Sequence, residues 1–227
     1  MSPFDLSNPD RPVRVGVILM NGVTELLDVA PIDLFHGMSK AFTDQLIDEF
    51  ITPAMRSQAL DMECIWVSEV GPTDQNRLTS GLNITPTHSF EDCPPLDIAI
   101  IGANNFGYTP NETELDFVRK TYSSCSAFIT VCGGMVVPLR AGVLSGKTAT
   151  APRFMLDMLK EQSPEVQWVE KRWVRDGKLW TSGALLNGMD LGTAFVQEVW
   201  AERKELVDFL LRVGSWVSRD LDYKDGF

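Results

Sequence analysis

The chain has 227 residues, 22% of them charged, with a net charge of −11 at neutral pH. That length suits one large α/β domain with a sizeable core. The acidic balance argues against nucleic acid or an anionic membrane surface as partner, and no apolar run nears the roughly 20 residues of a spanning helix.

Alternating strand and helix signals run along the chain. Residues 1–12 read as an N-terminal extension without an apolar signal core, so a cytoplasmic protein is expected. Val13–Leu19 is a short β-branched run fit for a strand buried on both faces. A turn at Asn21-Gly22 and a helix over Glu25–Met38 follow, with Pro31 near a helix start. Met62–Ser68 predicts a second strand, Ile84–Thr87 a short extended piece and Leu96–Ile101 a third buried strand. Asn111–Ser124 predicts a helix, Ala127–Val131 a fourth strand and Met135–Ala141 the next helix. Thr148–Ala151, Trp168–Glu170, Trp173–Arg175 and Leu179–Ser182 read as shorter strands, and Gly188–Arg203 as a long amphipathic helix. No repeat or linker divides the chain. Residues 13–205 form one α/β domain in this reading, and 206–227 a helical tail packed on it. Phe209, Leu210, Val213 and Trp216 share one face of that tail, and the closing LDYKDGF is expected to fray. Such alternation makes a parallel-sheet sandwich with ligands at the C-terminal ends of the strands.

The chemistry concentrates at Ala127–Val137, AFITVCGGMVV, where an apolar run stops at Cys132 and two glycines follow. A cysteine on a sharp strand-to-helix turn faces a cleft, and a helix N-terminus lowers its pKa by stabilising the thiolate. Gly133 and Gly134 would then leave room for substrate and for an unusual backbone. On local pattern alone Cys132 is either a nucleophile or a small buried apolar residue. The four cysteines lack CxxC spacing and read as thiols; with two histidines and no His/Cys cluster, neither metal nor other cofactor is expected. By itself Asp28 reads as a helix N-cap or first-turn acid, Glu25 as a loop charge and Asp33 as a solvated helix face. His36 and His88 read as surface or packed residues.

The segments LLDVAPIDLF, SFEDCPPLDIAIIGA, ITVCGGMVVPLRAGVLSGKTAT and VRDGKLWTSGALLNGMDLGTAF resemble the ThiJ/PfpI superfamily, with its class I glutamine amidotransferase-like fold. Their order and spacing are most similar to the isonitrile hydratase branch. The resemblance implies a flavodoxin-like α/β single domain with a cysteine nucleophile elbow. It implies a cofactor-free lyase in which Cys132 adds to an organic isocyanide and Asp28 manages protons, releasing an N-substituted formamide. The family glycine before Pro31 is absent from LLDVAP. Gly102 and Ala103 stand where the family has a Gly-Gly pair, and their amides with that of Gly133 would hold developing charge. Asn104 and Asn105 either donate from their side chains or shape a turn; Gly183, Ala184 and Leu185 would line the pocket. A family histidine is missing from TATAPR, so no Cys-His dyad is expected. The implied partners are a small-molecule substrate and a second copy of the chain. Two alternatives accompany this reading: another Cys132-dependent addition, isomerisation or glyoxalase-like step on a small carbonyl compound, or a non-catalytic oxidant sensor.

Overall fold

Apolar runs with no polar face need a layer of helix on each side. In the computed structural model, which describes residues 4–217 and 219–224, seven strands form one sheet. They are β1 Val13–Ile18, β2 Met62–Ser68, β3 His88–Ser89, β4 Ile98–Ile101, β5 Ala127–Thr130, β6 Trp173–Asp176 and β7 Leu179–Ser182. The order across the sheet is β6-β7-β5-β4-β1-β2-β3. All neighbours pair in parallel except β6, which closes the edge antiparallel to β7. This is the expected flavodoxin-like α/β sandwich in a single domain.

Strand alternation divides the apolar side chains between two cores. Val13, Val15, Val17, Ile100, Ile129 and Trp180 face one; Ile18, Ile65, Val67, Ala99, Ile101 and Phe128 face the other. The first core is covered by α1 Leu26–Val29, α2 Pro31–Gly37, α6 Leu186–Val199 and α7 Lys204–Val213, the second by α3 Glu112–Ser124, α4 Val136–Arg140 and α5 Arg153–Gln162. Phe195 anchors the first, its ring centroid 5.1 Å from those of Phe35 and Trp180 and 5.6 Å from that of Trp200.

Several elements differ from expectation for identifiable reasons. The single helix over Glu25–Met38 is two, because Pro31 opens α2 without an N–H to continue α1. A 3-10 turn, Cys132–Met135, precedes α4. The long helix starts at Leu186 and stops at Val199, with a 3-10 turn over Ala201–Arg203. Asn83–Ile84 pairs with Asn76–Leu78 outside the main sheet, and Thr148–Ala149 pairs with Gln167–Trp168 in a separate ribbon. Helix α5 has no counterpart in the sequence reading; its Phe154 is 72% exposed, which blurs its apolar stripe. On α7, Phe209 and Leu210 are buried while Val213 is exposed, so the apolar face is narrower than the spacing implied.

The expected fraying of LDYKDGF is corrected for Leu221 and Tyr223. The Arg172 amide donates to the Leu221 carbonyl at 2.9 Å, and Tyr223 Oη accepts from Asn187 Nδ2 at 2.8 Å. Residues 225–227 lie outside the described part of the chain.

Candidate active site

Beyond β5 the chain turns at Cys132, whose φ of +57° lies in the left-handed region. A side chain there costs about 1–2 kcal/mol, so the surroundings must hold it. The Cys132 amide donates to the Gly183 carbonyl at 3.1 Å, tying the turn to the end of β7. Gly133 and Gly134 were expected to supply the unusual backbone, but neither has a positive φ; the cysteine carries the strain itself. Gly134 is required for proximity instead. A Cβ there would lie 2.3 Å from the Ile101 carbonyl oxygen at the end of β4.

Asp28, on α1, is 0% exposed. It caps no helix: Glu25 holds the N-cap position of α1, Ala30 that of α2, and neither helix has a side-chain cap. Asp28 Oδ2 accepts from the Ala103 amide at 2.9 Å, whereas the buried Oδ1 lacks a well-formed hydrogen bond. The same carboxyl faces the Cys132 thiol and the Leu185 amide, and the Gly133 and Leu185 amides face the sulfur. The site is therefore a thiol against a carboxyl group, ringed by backbone donors.

Burial raises the Asp28 pKa to about 7; the Ala103 amide opposes that rise and the Glu25 charge adds to it. Burial, followed by the Asp28 charge, raises Cys132 to about 11. The expectation of a thiol acidified by a helix N-terminus is thus reversed. Helix α4 has only five residues, and the ionisable neighbour of the sulfur is an acid. Burial also raises Cys64, Cys93 and Cys125 to about 11, so acidity does not set Cys132 apart. Its carboxyl partner and two amides do.

The raised carboxyl has a stability signature. Asp28 titrates from its ordinary 3.8 up to about 7 on folding. The folded state therefore binds the proton more tightly, and raising the pH through this window destabilises the fold, by on the order of 4 kcal/mol once ionisation is complete. Asparagine keeps the shape and cannot ionise. Asp28→Asn is expected to match the parent in thermal midpoint near pH 4 and to exceed it by several degrees at pH 8. Scanning fluorimetry across that range checks this; a midpoint at pH 8 no higher than the parent's contradicts the raised carboxyl.

The structure brings together Cys132, Asp28, Gly133 and Leu185, with Ala103 behind the carboxyl and Gly102 against the Asp28 side chain. The expected role of Ala103 as a donor to substrate charge is corrected, because its amide is already bonded to Asp28. Leu185, expected only to line the pocket, supplies a donor instead. It stands at φ +44° and ψ −101° as the N-cap residue of α6, a conformation that no leucine signals in sequence. Ala184 is a turn residue whose carbonyl accepts from the Asn187 amide at 3.0 Å. Asn105 shapes its turn through bonds to Val23, and Asn104 Oδ1 lies against Gly22, buried and without a partner. His36 packs edge-on to Phe42, and His88 sits on β3 at the far edge of the sheet. Neither is among the groups that shift Asp28 or Cys132.

The sequence is 35% identical over 136 residues to the isonitrile hydratase of Pseudomonas putida, a match spanning 59% of this chain and 59% of that protein. A crystal structure of a ThiJ/PfpI family protein from Pseudomonas syringae superposes with a TM-score of 0.72 at 18% identity, covering 96% of this chain and 80% of that one. The Drosophila melanogaster DJ-1beta structure gives 0.66 at 17% identity, covering 91% of this chain and 100% of its own. The sequence profile of the DJ-1/PfpI family matches residues 42–198, a span that holds Cys132 and Leu185 and begins after Asp28. With a half-buried cysteine at a turn beyond a parallel strand and a family match over most of its length, the chain belongs to the DJ-1/PfpI family.

Proposed function

We infer that the protein is a cofactor-free, cysteine-dependent lyase that hydrates an organic isocyanide to an N-substituted formamide. The observation that carries this reading is the Cys132–Asp28 pair: a protonated thiol against a carboxyl group that titrates near neutrality. The match to an isonitrile hydratase supports the substrate class. A carboxyl poised near the working pH both accepts and returns a proton.

In the first step the ionised Asp28 takes the thiol proton as sulfur attacks the terminal carbon of R–N≡C. The new C–S bond leaves electron density on that carbon, which Asp28 protonates, giving the thioimidate R–N=CH–S–Cys132. Water then adds across C=N: its oxygen bonds to carbon, and Asp28 takes one of its protons and delivers it to nitrogen. The intermediate R–NH–CH(OH)–S–Cys132 loses sulfur and yields R–NH–CHO with the thiol restored. The Gly133 and Leu185 amides stabilise sulfur whenever it carries negative charge. Leu185, whose amide faces the pair, has a 38% exposed apolar side chain, which suits an apolar R group. An oxidant sensor fits less well, since oxidation proceeds through the thiolate and this thiol is held protonated. The reading carries with it a homodimer acting in the cytoplasm.

Incubation of the purified protein with alkyl and aryl isocyanides, followed by mass spectrometry, tests the reaction. Formamide release at many turnovers per thiol is expected. A stoichiometric adduct or no product refutes it.

A further inference from the structure

Leu185 holds a strained backbone at the N-terminus of a helix that has no side-chain cap. Strain of about 1–3 kcal/mol persists only where neighbouring groups impose it. Asn187 and Asp190, in the first turns of α6, are 8% and 4% exposed, and both are held from outside the helix. Arg219 donates to Asn187 Oδ1 at 3.1 Å and to Asp190 Oδ2 at 2.6 Å, while Asn187 Nδ2 donates to the Tyr223 hydroxyl at 2.8 Å. The backbone on the other side of Leu185 is held by the same segment. The Arg172 amide donates to the Leu221 carbonyl and its Nε to the Asp220 carbonyl, while its own carbonyl accepts from the Gly183 amide at 2.9 Å. The Tyr223 hydroxyl packs so close to Gly183 that a Cβ there would lie 2.6 Å from it. Arg153 and Arg172 lie over the Tyr223 ring, 4.8 and 4.6 Å from its centroid.

We propose that the segment Arg219–Tyr223 is a strap whose contacts hold the loop 183–187 so that the Leu185 amide stays aimed at Cys132 and Asp28. Arg219 and Tyr223 are positioning residues in this account. The inference rests on Cys132 being the reactive centre and deepens that reading by adding a segment that touches neither the sulfur nor the carboxyl. No residue described in the strap is fully buried, so it adds little core; its polar bonds converge on the buried Arg172, Asn187 and Asp190. Asp28 and, behind it, Glu25 are the ionisable groups acting on the reactive pair, and both lie outside the strap.

The full-length double variant Arg219→Gln/Tyr223→Phe tests the strap through iodoacetamide alkylation of Cys132, followed across pH by mass spectrometry. Loss of an amide donor destabilises the thiolate, so the profile is expected to move to higher pH, with alkylation at pH 8 slowed about tenfold. Arg219→Lys should recover part of the rate, and Lys224→Gln, on the exposed end of the segment, should follow the parent. A folded double variant whose profile superimposes on the parent's overturns the proposal. So does faster alkylation at every pH without displacement, which marks a loosened cover only. If the double variant fails to fold, Tyr223→Phe, which removes one hydroxyl, is read by the same criteria. Alkylation requires no isocyanide, so a parent protein that alkylates normally but hydrates none refutes the proposed reaction and leaves the strap to be judged on its own profile.

Discussion

Cys132→Ala is expected to fold with a thermal midpoint close to the parent's and to lose isocyanide hydration by at least about 10⁴-fold. The alanine retains the left-handed backbone and its cost, since that cost comes from the Cβ and not from the sulfur. The half-buried side chain leaves little cavity behind, so the packing penalty is small. No second cysteine stands by among the described residues: Cys64 is on β2, Cys93 in a loop and Cys125 at the C-cap of α3, and none of them acts on Asp28. Steady-state formamide release measured beside a melting curve separates the outcomes. Activity above about one hundredth of the parent's removes Cys132 from the mechanism. An unfolded variant returns it to the role of core filler.

Asp28→Asn carries the second large effect, a slowing of about 10²–10⁴. In the parent, Asp28 must be ionised to take the thiol proton, so turnover rises with pH through about 7. Asparagine accepts the Ala103 amide as before and relays no proton, which deletes that limb of the profile. The remaining activity then climbs with the thiol's own ionisation at alkaline pH. The same substitution stabilises the fold above neutrality, so activity and stability move in opposite directions at one residue, as expected where a buried charge is kept for chemistry. A parent-like rate and pH profile would leave Asp28 a structural residue.

The central strands were legible because burial on both faces removes the polar half of the pattern. Val13–Ile18 and Met62–Ser68 lie within a residue of their predicted limits for that reason. Helix α5 was not legible, since Phe154 and Met158 point to solvent and disturb its period. The reactive pair was visible in part. Cys132 stands out by its apolar approach and glycines, whereas Asp28 needed a family pattern, because a carboxyl group near a helix start is ordinarily a cap. The donors around them were misassigned because a backbone amide has no letter in the sequence. Nothing written at Ala103 says that its N–H turns to Asp28, and nothing at Leu185 announces a positive φ. The strap read as the end of a helical tail running into a frayed terminus, whereas the helix stops at Val213 and the segment after it is anchored by Arg172, Asn187 and Asp190, which are far from it in sequence.

The strand order has a consequence in time. The reactive centre draws on α1, the end of β4, the turn after β5 and the start of α6, and β4 reaches β5 and β1 only through long crossovers. Contacts of such wide sequence separation form late, after the entropy of closing the intervening loops has been overcome. A growing chain that has already displayed Cys132 still lacks Gly183, Leu185 and the C-terminal segment that braces them. Until the segments from Gly183 onward have been made and folded, that cysteine lacks both the carbonyl that accepts from its amide and the Leu185 amide that faces its sulfur.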